Sequence, residues 1–143
     1  MTKVDIIRKF ASAVLGERVI IVRKRGDWGM SLIENHPRLE LPADIYQNDK
    51  QDKLFRKDFI RRYNGARGFS NVTISVLHEL GHWVTRAEVD WEEYYILQDQ
   101  VSGQEYFDLY GERVATDWAI QWLSIPENRR KAKAFEAELR GIK

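Results

Sequence analysis

The sequence predicts a mixed α+β domain, and three observations carry that expectation. Extended, β-branched stretches are confined to residues 18–41, helical periodicity flanks them on both sides, and the length of 143 residues suits one domain, 1–143, with one core.

From the N-terminus, Val4, Ile7, Phe10, Ala11 and Val14 recur at helical spacing, with Thr2 as cap and Gly16 as stop. Arg18 to Lys24 is β-branched and flanked by charge, a strand pattern. Gly26-Asp27-Trp28-Gly29 supplies turn chemistry before a second extended stretch, Met30 to Ile33, and Arg38 to Leu41 reads as a third. The polar run Gln47 to Lys53 reads as a loop or helix start, and a short helix carrying Leu54, Phe55, Phe59 and Tyr63 should end near Asn64-Gly65. Within Val72 to Val84, Ile74, Leu77, Gly81 and Val84 form a stripe at i, i+3, i+7 and i+10, the mark of a buried helix face. Ala87 to Leu97 is rich in aromatics and acids; its periodicity fits helix and loop equally, and its position makes it a candidate cleft wall. Gln104 to Ser124 has the composition of one helix despite Gly111, and Pro126 opens a C-terminal helix over Glu127 to Leu139, ended by Gly141.

Hydrophobic residues at 43% and charged ones at 31% describe a folded globular chain, not a disordered tail. A net charge of +1 gives no general attraction to nucleic acid. Basic clusters at Arg61-Arg62, Arg67, Arg129-Arg130-Lys131 and Lys133 read as solvated faces, the last interrupted by Glu127, Glu136 and Glu138, so no nucleic-acid partner is expected. With no cysteine, disulfides and thiolate ligands are excluded, leaving His, Asp and Glu for any metal. No apolar run approaches a membrane span, and Met1 to Lys9 lacks the apolar core of a signal peptide. A cytoplasmic protein that engages no membrane is the expectation.

The most informative segment is His78-Glu79-Leu80-Gly81-His82, an HExxH motif. A shuffled chain of this composition would contain the pattern only roughly 0.005 times, so chance is a poor account of it. On a helix, His78 and His82 lie one turn apart and can direct both imidazoles at one metal ion, with Glu79 beside them. Two nitrogen ligands and a carboxylate base are what a zinc-dependent peptidase requires, with Zn²⁺ as cofactor and a peptide or protein as substrate.

Catalytic zinc normally takes a third protein ligand. Thr85 and Glu88 stand where the extended HExxHxxGxxH pattern needs glycine and histidine, so a distal carboxylate is the remaining common solution. Glu112 shares a helical face with Ala115, Ala119 and Trp122, where small side chains allow close helix approach and would turn the carboxylate inward. It is the leading candidate, ahead of Glu105 and Asp108; His36 lies in the turn-like Asn35-His36-Pro37. Tyr94, Tyr95, Tyr106, Tyr110 or an arginine remain candidates for stabilising an oxyanion.

The HELGH helix, followed about thirty residues later by Glu112-Arg-Val-Ala115-Thr-Asp-Trp118-Ala119-Ile-Gln-Trp122-Leu123-Ser-Ile125-Pro126, resembles the ImmA/IrrE-type metallopeptidases, small relatives of the gluzincins. Their second helix reads roughly ExxANxFAxxLLMP, and the resemblance covers about Asn71 to Pro126. It implies a zincin-like fold: a small antiparallel sheet packed on the HExxH active-site helix, and a glutamate-bearing helix completing the site. It also implies hydrolysis of a regulatory protein such as a repressor. An edge strand would hold the extended substrate, either Trp28 to Ile33 or Arg38 to Leu41. Two departures stand out. Thr116 occupies the place where such sites often carry Asn or Asp to support a metal-bound histidine, with Asp117 beside it as the other candidate support, and Pro126 comes one residue late. The competing expectation is a catalytically inactive zinc-binding regulator of the same fold, against which the intact Glu79 argues.

Overall fold

In the computed structural model, which describes residues 1–24, 26–32 and 35–142, the chain opens on helix α1 (Lys3–Leu15). Its start is a capping box: the Thr2 hydroxyl accepts from Asp5 N–H and the Asp5 carboxylate accepts from Thr2 N–H. Gly16 ends it in the left-handed region at φ 70°, where a β-carbon is strained.

The sheet consists of β1 (Ile20–Arg23), β2 (Gly29–Ser31) and β3 (Arg38–Leu41). It is mixed, which corrects the antiparallel expectation. Strand order is β1-β3-β2, with β3 antiparallel to β2 but parallel to β1, Ile20 opposite Arg38. Burial explains the order: Leu39 and Leu41 are fully buried, so β3 takes the middle, whereas Ile20 is partly exposed on the β1 edge. The turn residues at 26–29 therefore carry the chain past β3 to its far side. Ile33, the end of the expected second stretch, lies outside the described residues.

Helix α2 (Lys50–Arg62) starts earlier than its first apolar residue, because Asp49 and Asp52 form a reciprocal capping box. After a 3₁₀ turn at Asn64–Gly68, α3 (Asn71–Val84) is buried continuously from Val72 to Trp83. Its first turn is clamped by Glu136 of α7 (Pro126–Arg140), whose carboxylate accepts from the Thr73 hydroxyl at 2.7 Å and from Ser70 N–H. The segment left open between helix and loop forms a 3₁₀ turn, Arg86–Glu88, and helix α4 (Trp91–Gln98), capped by Asp90.

The single helix expected over 104–124 is two: α5 (Gln104–Phe107) and α6 (Tyr110–Leu123). Leu109 is extended, at φ −58° and ψ 140°, and redirects the chain. Phe107 thereby turns onto Phe55 of α2, with ring centroids 5.9 Å apart, while Glu112 turns toward α3. The buried apolar residues of α1, β3, α3, α6 and α7 form one cluster, against which Trp118 and Trp122 pack. Among the described residues no helix is long and apolar enough to cross a membrane.

Helices α3 and α6 approach closely at Gly81. A β-carbon on Gly81 would collide with the Ala115 carbonyl, so only glycine permits this separation. Gly81→Ala should therefore destabilise the fold by about 1–3 kcal/mol, read as a lower urea midpoint; an unchanged midpoint would mean that the seam relaxes freely.

Candidate metal centre

Because α3 and α6 meet so closely, one turn of each contributes side chains to a shared buried space. His78 and His82 point from α3, and Glu112 of α6 inserts its carboxylate between them. Glu112 Oε1 lies 3.0 Å from His78 Nε2, and Oε2 lies 3.0 Å from His82 Nε2. All three residues are buried, as is Glu79. The imidazole rings stand edge to face with centroids 4.7 Å apart, and Phe55 packs against His78.

Thr116, one turn beyond Glu112, places its hydroxyl 2.9 Å from His78 Nδ1. Without metal, Nε2–H donates to Glu112; with a metal bound, an Nδ1–H donating to Thr116 would leave the Nε2 lone pair facing inward, the tautomer a metal ligand needs. Asp117 is exposed and points elsewhere. Thr116, not Asp117, is thus the residue that contacts His78. His82 Nδ1, in contrast, is buried without a hydrogen-bond partner among the described residues.

The donor set fits a zinc ion. Zinc bonds of about 2.0–2.1 Å in a tetrahedral site separate neighbouring ligand atoms by about 3.3 Å, a few tenths more than the spacing found between Glu112 and the imidazoles. The ligand atoms of His78, Glu79 and His82 also lie within 4.8 Å of one another, so either carboxylate is near enough to complete the set. Electrostatics separates their roles. Burial works against the charged form of Glu112, but the two histidines outweigh it and hold the carboxyl below its usual range. Glu79 is pushed up: burial dominates, Glu112 adds repulsion, and the histidines offset only part. Glu112 is thus the carboxylate that stays charged and Glu79 the group better able to hold a proton.

Of the other candidates, Glu105 and His36 are exposed, and Asp108 is exposed and paired with Arg62. Tyr95 and Tyr110 are also exposed. Tyr94 and Tyr106 reach the centre. The Tyr94 hydroxyl donates to Glu112 Oε2 at 2.6 Å and lies 3.3 Å from the Tyr106 hydroxyl. That grip on Glu112 has a sequence signal which spacing alone did not expose: Gly111 precedes Glu112, and a β-carbon there would lie 2.8 Å from the Tyr94 ring. A cavity of about 350 Å³ opens onto His78, Glu79 and Glu112, walled by Trp28, Phe55 and Tyr106. No arginine lines it among the described residues.

No family model, curated protein or solved structure matches this chain. The arrangement of the centre therefore carries the functional argument.

Two expectations follow from the centre. In the metal-free protein, burial opposes a charged His82, but Glu112 and then Glu79 overcome it and raise the imidazole to about 9 from 6.5. A raised folded-state value stabilises fully below pH 6.5 and loses that contribution as pH climbs through about 9. The metal-free melting temperature should fall across that window and the zinc-loaded one should not; parallel profiles would contradict the pairing. Thr116→Val should weaken zinc binding by about 10–100-fold with the fold intact, measured by chelator competition alongside circular dichroism.

Proposed function

We propose that this chain is a zinc-dependent peptidase of the ImmA/IrrE type, which hydrolyses peptide bonds of a protein substrate such as a repressor. One observation carries the reading: two buried carboxylates flank one pair of imidazoles, and their environments push their protonation in opposite directions. His78, His82 and Glu112 would hold the metal. When bound there, zinc supplies Lewis acidity, which makes water more acidic and polarises a peptide carbonyl.

Glu79 is the proton carrier. Burial, with repulsion from Glu112 added to it, raises its affinity for a proton against the pull of the two histidines, so it takes one from the attacking water and passes it to the leaving amine nitrogen. Tyr106 serves as donor to the developing oxyanion. Burial and the Glu112 carboxylate raise its phenol, keeping the O–H in place at neutral pH. Tyr94 keeps Glu112 oriented. Trp28 lines the cavity just before β2, and β2 pairs only with β3 among the described residues. Its outer edge is the place for an extended substrate. Strand β3, paired on both sides, is not available.

The test is metal content followed by turnover. About one zinc per chain should be found, and lost in His82→Ala. Glu79→Gln should keep the metal and lose about 10²–10⁴-fold of peptide hydrolysis. Undiminished turnover in that variant, or no zinc under replete conditions, would remove the reading; zinc without hydrolysis of any peptide in a broad library would leave a zinc-binding regulator.

A further inference from the structure

Helix α2 serves two cavities. Gln51, Asp52 and Phe55 face the candidate centre, while Lys53, Arg56, Lys57 and Arg61 line a second, larger cleft of about 910 Å³, completed by Arg67 and the start of α3. Of its ten lining residues five are cations and none is an acid, in a chain whose net charge is only +1. We infer that this cleft binds an acidic peptide segment.

The hydrogen-bonding character of the walls points the same way. The lining amides have their acceptor oxygens engaged: Asn64 Oδ1 takes Arg67, Asn71 Oδ1 takes Arg56, and Asn48 Oδ1 takes the Asn71 amide. What the side chains present to the cleft is N–H. Arg56 is fixed there by the Phe69 carbonyl at 2.8 Å, with no carboxylate at ion-pair distance among the described residues. Arg61 shares buried Asp58 with Arg62, so its charge is partly offset. Lys53 and Lys57 are exposed and have no carboxylate at ion-pair distance among the described residues. A concave, donor-lined, cationic wall needs a ligand that brings negative acceptors.

A single-stranded nucleic acid would gain most of its affinity by stacking bases, and no lining residue is aromatic. Carboxylates on an extended chain require no such platform. From Lys53 to Arg61 the helix advances about 12 Å, the length of about four extended residues. That the segment belongs to the substrate of the adjacent centre rests on the peptidase reading; the binding itself does not.

The experiment uses fluorescence anisotropy with a labelled glutamate-rich octapeptide and the Glu79→Gln protein, so that no turnover intervenes. The peptide should bind at low salt and weaken as salt rises, and the double variant K53E/K57E should lose at least tenfold in affinity with unchanged circular dichroism. A glutamine-rich control peptide should not bind. Failure of the acidic peptide to bind, equal binding by the variant, or displacement of the peptide by an oligonucleotide at lower charge concentration would each overturn the inference. With the active protein, K53E/K57E should lower kcat/KM at least tenfold for a substrate carrying the acidic run and leave one without it unchanged. Equal loss on both substrates would remove the substrate role while the binding result stands.

Discussion

Where Gly81 meets Ala115, α3 and α6 approach more closely than a β-carbon at position 81 would allow. Everything at the centre depends on that separation. Glu112 lies one turn before Ala115, so a shift of α6 would withdraw its carboxylate from both imidazoles at once. The same seam sets Thr116 against His78. Among the described residues the polar contacts to the histidine rings, three in all, thus come from one helix held at one distance, which Gly81 and Ala115 set between them.

Burying this many ionisable groups together is costly unless their charges are matched. Without metal, the Glu112 carboxylate and a protonated His82 satisfy each other, and Tyr94 supplies a further donor to the same carboxylate. Zinc would replace that proton by a doubly charged ion, so metal binding and proton release are linked. The arrangement also explains how two glutamates a few ångströms from the same imidazoles can have different jobs. Glu112 sits within hydrogen-bond distance of both rings. Glu79 feels them mainly through space, in surroundings where desolvation dominates.

Much of this could be read from the chain. The motif spacing placed His78, Glu79 and His82 on one helix, and the small residues following Glu112 singled it out among many downstream acids. Both inferences used helical periodicity, which is robust over fourteen-residue helices. Strands of three and four residues carry too little pattern to reveal their pairing, so the parallel β1–β3 contact was not legible. The break at Leu109 lies two residues before Gly111, which composition alone let pass within one helix; the packing of Phe107 onto Phe55 accompanies it. The acidic capping box at Asp49 and Asp52 stood in a run that read as loop or helix start. The cationic cleft escaped because its charges belong to separate sequence clusters that α2 and the following 3₁₀ turn bring together.

The elements that hold the proposed metal ligands differ in kind from those that wall the cavity. His78, His82 and Glu112 stand on long helices locked into the core, whereas Tyr106 stands on the four-residue α5 and the edge proposed for substrate on the three-residue β2. Helix α5 is fastened from outside, by Gln104 to Asp58 and by Asp108 to Arg62 of α2. Such short pieces contribute little to global stability and are joined to the remainder through a few side chains. Sequence drift can consequently remodel what the cavity admits while leaving the arrangement of His78, His82 and Glu112 untouched, so on the proposed reading substrate choice would be freer to change than chemistry.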